Sequence, residues 1–274
     1  MIAQTKKIGD IEVTALSDGR LATSLDVILG MDRTEAARLA GTTGGLHIAV
    51  NAFLLKLSGR RALIDAGAGN SMGPALGRLA ENLRAFGVAP EEIAAVFLTH
   101  IHPDHSNGLV DASGHAVYPN AELVVHEAEA QFWLDRDEAS GATERIRRNI
   151  AKAAVTTAPY RQRLRTVREG EAMAGVASVA LPGHTPGHTG WLIASGKESL
   201  LIWGDLVHLA SVQVARPDTG LAFDVDPQAA CATRLRTFDR VAADKLKVAG
   251  AHMDFPGFGT IVRRGSGFAF EPEA

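Results

Sequence analysis

The stretch His100-Ile101-His102-Pro103-Asp104-His105 decides the fold and the chemistry of this chain. It places four potential metal ligands within six residues. Imidazole and carboxylate together suit borderline or hard divalent ions such as zinc, iron, manganese or cobalt. Residues 93–98 form an apolar run typical of a buried strand, and Asn107-Gly108 indicates a turn. We therefore predict a metal loop at the carboxyl end of a strand, rather than a surface cluster of histidines.

A second histidine-rich loop, Pro182-Gly183-His184-Thr185-Pro186-Gly187-His188, follows later in the chain. Its prolines stiffen the backbone and its glycines allow tight bends, which suits a loop that must aim a ligand. We predict His184 as a metal ligand and His188 as a neighbour that orients the ligands. Asp205 and His252 each come just after an apolar run typical of a strand, and beside the two histidine loops we interpret Asp205 as a further ligand.

The composition is that of an ordinary globular protein. Of 274 residues, 46% are hydrophobic and 22% are charged. The net charge of -3 gives no electrostatic reason to expect a nucleic acid or an anionic membrane as partner. No apolar run approaches the roughly 18 residues that span a bilayer, and no signal peptide is visible, so we expect a cytoplasmic protein. The one cysteine, Cys231, excludes a disulfide within the chain.

Strand patterns precede the metal loop. Residues 11–16 alternate in polarity and predict a strand that closes in a turn at residues 17–19. Residues 48–57 and 62–65 predict a hairpin. The glycine-rich residues 65–70 invite interpretation as a phosphate loop, but they lack the Gly-Lys-Ser/Thr ending. We therefore interpret them as a tight strand-to-helix connection whose aspartate supports the metal site.

Helical patterns complete the outline. Residues 34–40 predict a short helix within an otherwise irregular segment, and residues 227–248 predict an amphipathic helix followed by a short strand. Residues 135–168 are polar and helical in tendency, with breaks at Ser140-Gly141 and Pro159. We expect them to form either a solvent-exposed helical segment or a lid over the metal site. Ligand loops at strand ends occur throughout, so we expect one domain, residues 1–274, with two similar halves of roughly 1–170 and 171–274.

The combined motifs resemble the metallo-β-lactamase superfamily. The motifs are His100-x-His102-x-Asp104-His105, Gly183-His184-Thr185-Pro186-Gly187-His188, Gly204-Asp205 and His252. The resemblance covers most of the chain and implies an α/β fold, a four-layer αβ/βα sandwich of two mixed sheets with helices outside. It also implies a dinuclear site with His100, His102 and His184 around one metal, Asp104, His105 and His252 around the other, and Asp205 bridging.

Flanking residues narrow the resemblance to one branch. Three other groups of the superfamily differ from this chain. Common zinc β-lactamases place a cysteine where Asp205 stands, and flavodiiron proteins have a carboxylate where His102 stands. Glyoxalase II enzymes carry an extra C-terminal helical domain. The stretches Gly204-Asp205-Leu206-Val207-His208, Phe223-Asp224-Val225-Asp226-Pro227 and His252-Met253-Asp254-Phe255-Pro256-Gly257-Phe258-Gly259 look like the branch of methyl parathion hydrolase and acyl-homoserine lactonases. Many members of that branch are dimers, so we expect a homodimer.

The predicted function is hydrolysis of a small-molecule ester, lactone or phosphotriester by a metal-bridging hydroxide. Two divalent ions, zinc first and iron, manganese or cobalt as alternatives, are the expected cofactors. Asp104 and Asp205 are the predicted catalytic carboxylates, which balance the metal charge and handle the proton of the nucleophile. His188, His208 and Phe255 are predicted to orient the ligands or face the substrate. Apolar residues predicted either to line a pocket or to fill the core are Trp133, Leu206, Met253 and Phe258.

Two other functions remain open. A mononuclear iron oxidoreductase of the sulfur dioxygenase type uses the same fold and would contain one iron. A non-catalytic metal-binding module would be inactive on esters, lactones and phosphotriesters.

Overall fold

Two mixed β-sheets carry most of the strands in the computed structural model, which describes residues 2–135, 142–170 and 172–273. The strands are β1 (Ala3–Ile8), β2 (Ile11–Thr23), β3 (Ile28–Leu29), β4 (Leu46–Leu57), β5 (Arg60–Ile64), β6 (Ile93–Phe97), β7 (Glu122–His126), β8 (Leu164–Val167), β9 (Val176–Ala180), β10 (Thr189–Ser195), β11 (Glu198–Ile202), β12 (Gly220–Leu221), β13 (Lys247–Ala249), β14 (Phe258–Arg264) and β15 (Gly267–Pro272). The first sheet has the order β1-β2-β4-β5-β6-β7-β8, the second has the order β15-β14-β13-β11-β10-β9, and β12 pairs with β3.

Seven α-helices occur in the described residues, and four of them cover the outer faces of the two sheets. They are α1 (Arg33–Ala40), α2 (Leu79–Ala85), α3 (Pro103–Ser106), α4 (Glu127–Trp133), α5 (Glu144–Thr157), α6 (Ala210–Gln213) and α7 (Pro227–Asp244). Apolar side chains of α2, α4 and α5 pack on the first sheet, and those of α7 pack on the second sheet. A third cluster, which includes Phe53, Phe97 and Trp191, fills the space between the sheets. This order of helix, sheet, sheet and helix confirms the predicted four-layer αβ/βα sandwich.

The parallel strands determine where loops converge. β5, β6, β7 and β8 run parallel to one another in the first sheet, and β11 runs parallel to β13 in the second. The carboxyl ends of neighbouring parallel strands share one edge of a sheet, and ligands bind outside such edges. The loop after β6 therefore lies at such an edge of the first sheet, and the loops after β11 and β13 lie together at such an edge of the second sheet.

Several local predictions are confirmed. β4 and β5 form the predicted hairpin. α1 forms the predicted short helix, with the Asp32 side chain accepting the first free N–H groups and Gly41 in a left-handed conformation at its end. α7 begins after Asp226, whose side chain accepts from Ala229 N–H, and it leads to β13 as expected.

The prediction that the first long strand closes in a turn at residues 17–19 is wrong. β2 continues to Thr23 across a register shift between Ser17 and Gly19. Asp18 is buried there and its carboxylate accepts N–H bonds from Ala68, Gly77 and Leu79. The Ser-Asp-Gly stretch thus forms an irregularity within a strand because its aspartate binds a neighbouring loop instead of its own turn.

The prediction for residues 135–168 is only partly right. α5 and a 3-10 turn at Ala158–Arg163 account for the helical tendency, whereas Ser140-Gly141 lies outside the described residues. β8 is a strand that the sequence analysis missed; it pairs with β7, and Arg165 there forms an ion pair with Glu122. As the last strand of its sheet, β8 keeps polar side chains that conceal the strand pattern.

The C-terminal hairpin of β14 and β15 was also not predicted. None of the helices in the described residues has the length and apolar character needed to cross a bilayer.

Candidate metal centre

The first ligand loop follows β6 directly. His102 precedes α3, and Pro103 occupies the first helical position, where the absence of a backbone N–H has no cost. This single helical turn directs Asp104 and His105 toward the same space as His100. Both His100 and His105 are completely buried.

The other predicted ligands come from three separate loops of the second sheet. His184 lies between β9 and β10, Asp205 follows β11, and His252 follows β13. All three are at most 4% exposed. The structure brings these side chains into contact with the first loop, so all seven predicted ligands share one buried cluster.

Three histidines form one end of the cluster. His184 Nε2 lies 2.8 Å from His102 Nδ1 and 3.2 Å from His100 Nε2. Three imidazole nitrogens that converge on one point provide a site for a borderline divalent ion. His100, His102 and His184 can therefore hold one metal.

Two carboxylates and two histidines form the other end. Asp205 Oδ1 lies 3.1 Å from His105 Nε2, and Asp205 Oδ2 lies 3.1 Å from His252 Nε2. Asp104 Oδ2 is 3.4 Å from His252 Nε2. These four residues can hold a second metal. Asp205 Oδ2 is also 3.2 Å from His184 Nε2, so this carboxylate touches both groups.

The charges of the cluster favour a bound cation. Burial opposes ionisation of Asp104 and Asp205, but nearby histidines outweigh it and hold the pKa of both carboxyl groups well below their usual range. Burial likewise lowers the pKa of His184 and His252, yet their carboxylate neighbours raise the pKa values to about 9 and about 10. The cluster thus requires positive charge, which protons or metal ions can supply.

Unpaired atoms test whether metals fit this site. His105 Nε2 and Asp205 Oδ1 are buried and close together, but neither forms a hydrogen bond with any atom in the described part of the chain. Leaving such atoms unpaired is costly. Both atoms face the second group of ligands, so a divalent ion held there would satisfy them. The donor set and its unpaired atoms fit two metals.

Three of the ligand histidines are oriented by a bond from the ring nitrogen that faces away from the cluster. His105 Nδ1 donates to Asp65 Oδ2 at 2.8 Å, and His184 Nδ1 donates to Asp224 Oδ1 at 2.9 Å. His252 Nδ1 donates to the Ala49 carbonyl at 2.7 Å. Such bonds direct Nε2 at the centre and make it a better ligand. The structure thus places Asp65 in the supporting role that the sequence analysis suggested. The sequence analysis had assigned no role to Asp224.

Glu129, which the sequence analysis missed, links the two ligand loops. Its side chain is fully buried in α4. Oε1 accepts from Ile101 N–H at 2.9 Å and from the Trp133 indole at 2.6 Å. Oε2 accepts from the Thr185 hydroxyl at 2.7 Å and from Gly187 N–H at 3.0 Å. The available signal was an acidic residue on the apolar face of a helix, one turn before a tryptophan.

The remaining predicted site residues occupy different surroundings. His188 accepts from Asp205 N–H at 3.0 Å and donates to the Leu181 carbonyl, so it contacts the backbone of a ligand. His208 Nε2 is 3.0 Å from Asp205 Oδ2. Burial lowers the pKa of His188 to about 3 and that of His208 to about 4. Phe255 packs against the core between the sheets and is not part of the cavity wall described next.

A cavity of about 190 Å³ opens above the cluster. Its floor consists of ligand side chains, and Arg145 and Asn149 of α5 contribute polar groups to its wall. The apolar part of the wall contains Leu21, Ile48, Met72 and Phe223. The four residues predicted either for a pocket or for the core, Trp133, Leu206, Met253 and Phe258, belong to the core.

Comparisons with known proteins agree with this geometry. A curated relative, an N-acyl homoserine lactonase of Bacillus cereus, is 25% identical over 127 residues, which are 46% of this chain and 42% of the relative. The solved structure of hydrolase AbOPH in the beta lactamase superfamily matches with a TM-score of 0.94 and 32% identity, over 99% of this chain and 97% of that one. AidC, a dizinc quorum-quenching lactonase in complex with a product, N-hexanoyl-L-homoserine, matches with a TM-score of 0.93 and 26% identity over the same shares.

The family model of the metallo-beta-lactamase superfamily matches residues 46–252, a range that contains every residue of the two ligand groups. The chain therefore belongs to the metallo-beta-lactamase superfamily and is a metal-dependent hydrolase.

Proposed function

We propose that this protein is a dinuclear lactonase that opens the ring of N-acyl homoserine lactones. The observation that carries the proposal is the position of Asp205 between two groups of ligands at the floor of a partly apolar cavity. The similarity to a dizinc lactonase across nearly the whole chain supports the same conclusion. Such a substrate combines a reactive ester carbonyl with an apolar acyl chain.

Asp205 would bridge the two ions, with His100, His102 and His184 on one side and Asp104, His105 and His252 on the other. Two divalent ions held there, with zinc the expected metal, would polarise the lactone carbonyl as Lewis acids and would lower the pKa of a water molecule toward neutrality. His188 and Asp224 keep Asp205 and His184 in place through the bonds described above.

Asp104 and Asp205 are assigned to the handling of the attacking water and its proton. Attack of water on the carbonyl carbon breaks the bond to the ring oxygen, which leaves as an alkoxide and must gain a proton. Asp104 lines the cavity, and its side chain is 12% exposed, compared with 2% for Asp205. Asp104 is therefore the carboxylate that passes the proton of the water toward the departing oxygen, while Asp205 orients the water.

The test combines elemental analysis with hydrolysis on one sample. We expect two metals per chain, turnover of N-hexanoyl homoserine lactone above that of phenyl acetate and paraoxon, and loss of activity with a chelator. One iron per chain, oxygen uptake with a persulfide and no hydrolysis would contradict the proposal and favour an iron oxidoreductase. Inactivity on all three substrates would favour a non-catalytic metal-binding module.

The homodimer, the single domain and the cytoplasmic location belong to the same proposal. Light scattering during size-exclusion chromatography tests the first, and a mass of one chain, 28.9 kDa, would contradict it.

A further inference from the structure

One wall of the cavity differs chemically from the rest. Arg145 and Asn149 lie four residues apart on α5, so they are neighbours on the same face of the helix. Both side chains line the cavity above the ligands, and Leu21, Ile48 and Met72 also line it. A substrate in this cavity therefore meets two polar side chains from one helix face as well as apolar side chains.

The Arg145 guanidinium has no carboxylate partner among the described residues. It donates to the Phe223 carbonyl at 2.7 Å and to the Asp224 carbonyl at 3.4 Å. No carboxylate oxygen in the described residues forms an ion pair with it, in contrast to Arg165 and Arg216. A half-buried guanidinium has five N–H groups, and these two carbonyls do not use all of them. Arg145 can therefore donate to an oxygen atom of a bound molecule.

The Asn149 amide has no hydrogen-bond partner in the part of the chain that the structure describes. Its side chain is partly buried and lines the cavity one helical turn beyond Arg145. An amide side chain offers one carbonyl acceptor and two N–H donors. Asn149 thus presents an unused acceptor to the cavity beside the donors of Arg145.

We propose that Arg145 and Asn149 form a subsite for the secondary amide of the substrate. The Asn149 carbonyl accepts the substrate N–H, and Arg145 donates to the substrate carbonyl. A secondary amide has one donor and one acceptor, and this pair complements both. The inference rests on the proposed function, because the amide is what distinguishes an N-acyl homoserine lactone from a simple alkyl lactone.

The size of the cavity agrees with a subsite for the lactone ring and the amide of the substrate. At about 190 Å³ it is smaller than the roughly 300–1,000 Å³ that is typical of sites for drug-sized ligands. The lactone ring and the amide therefore occupy the enclosed space, and a long acyl chain extends past its rim. Recognition of the amide, and not the length of the chain, then determines specificity within the cavity.

The experiment compares two lactones that differ only at the amide. One is N-hexanoyl homoserine lactone, and the other is an α-alkyl-γ-butyrolactone in which methylene groups replace the amide. Both are assayed with the zinc-loaded enzyme and its Asn149→Leu variant. Leucine keeps the size of the side chain and favours a helix, so the variant should fold. Arg148→Leu, an exposed neighbour on the same helix, is the matched control.

For Asn149→Leu we expect the KM for the acyl homoserine lactone to rise about tenfold, because one hydrogen bond is lost. The KM for the alkyl lactone should stay the same or fall. Binding of the ring-opened N-hexanoyl homoserine, measured by calorimetry, should weaken by a similar factor. Arg148→Leu should leave all three values unchanged.

Equal effects of Asn149→Leu on both lactones, or no effect on either, would overturn the amide subsite while leaving lactonase activity intact. A wild-type enzyme that opens the alkyl lactone but not the acyl homoserine lactone would overturn the proposed substrate and the subsite with it. A wild-type enzyme inactive on both would overturn the proposed function itself.

Discussion

The ligands of the metal centre come from two parts of the fold that are built in different ways. We call the loop after β6 the first half of the centre, and the three loops of the second sheet its second half. In the first half, four potential ligands lie within six residues, and one short helical turn carries two of them, Asp104 and His105. In the second half, His184, Asp205 and His252 come from three loops separated by whole strands and helices. The first half is therefore a local structure, whereas the second exists only when the second sheet is assembled. The comparison shows that the position of Asp205, which contacts both groups, depends on the correct packing of the two sheets.

Asp205→Asn should break the centre most severely. Asp205 faces four histidines within 3.2 Å, and removing one partner of a buried ionic group costs about 3–5 kcal/mol of folding stability. We expect kcat/KM for a lactone to fall by at least about 100-fold, because Asp205 contacts both groups of ligands, whereas changes to groups that only orient ligands cost about 10-fold to 100-fold. Metal content by elemental analysis should fall as well.

The control for this variant is Asp239→Asn, which alters an exposed aspartate on α7. It should retain normal turnover and metal content. Near-normal turnover of Asp205→Asn would refute the bridging role.

Glu129→Gln should weaken the hydrogen bonds that link the two ligand loops. Glutamine has one acceptor oxygen in place of two, so two of the four donors that now bind Glu129 lose their partner. Changes to groups that orient metal ligands typically cost about 10-fold to 100-fold in metal affinity. We expect a decrease of that size in zinc retention against a competing chelator.

Glu127→Gln is the matched control because it lies two residues earlier and pairs with Arg168 at the surface. If both variants retained zinc equally well, Glu129 would have only a local role in α4.

The smallest expected effects come from two variants that each alter the support of one ligand histidine. Asp65→Asn alters the partner of His105 in the first loop, and Asp224→Asn alters the partner of His184 in the second half. Each should lower the affinity for one metal about tenfold, and the two variants should deplete different ions. Stepwise metal titration followed by calorimetry would measure this. Loss of the same ion in both variants would contradict the division of ligands between the two groups.

The fold and the ligands differ in how far the sequence could predict them. The buried runs and the helices capped by Asp32 and Asp226 follow from local periodicity and capping, so both were predictable. The irregularity at Asp18 and the polar strand β8 were not, because in each case a distant partner determines the backbone conformation. Glu129 was missed for the same reason, since three of its four donors lie on the two ligand loops.

The sequence by itself determined which residue types could hold metals, since the spacing of His100, His102, Asp104 and His105 needs no tertiary contact to be recognised. It also determined the family, because His184, Asp205 and His252 occur in recognisable loops. Only the tertiary structure decided that Asp205 touches both groups of ligands and that Arg145 and Asn149 border the cavity. The physical reason is that these contacts join residues far apart in the chain, and only the packing of sheets and helices brings them within hydrogen-bond distance.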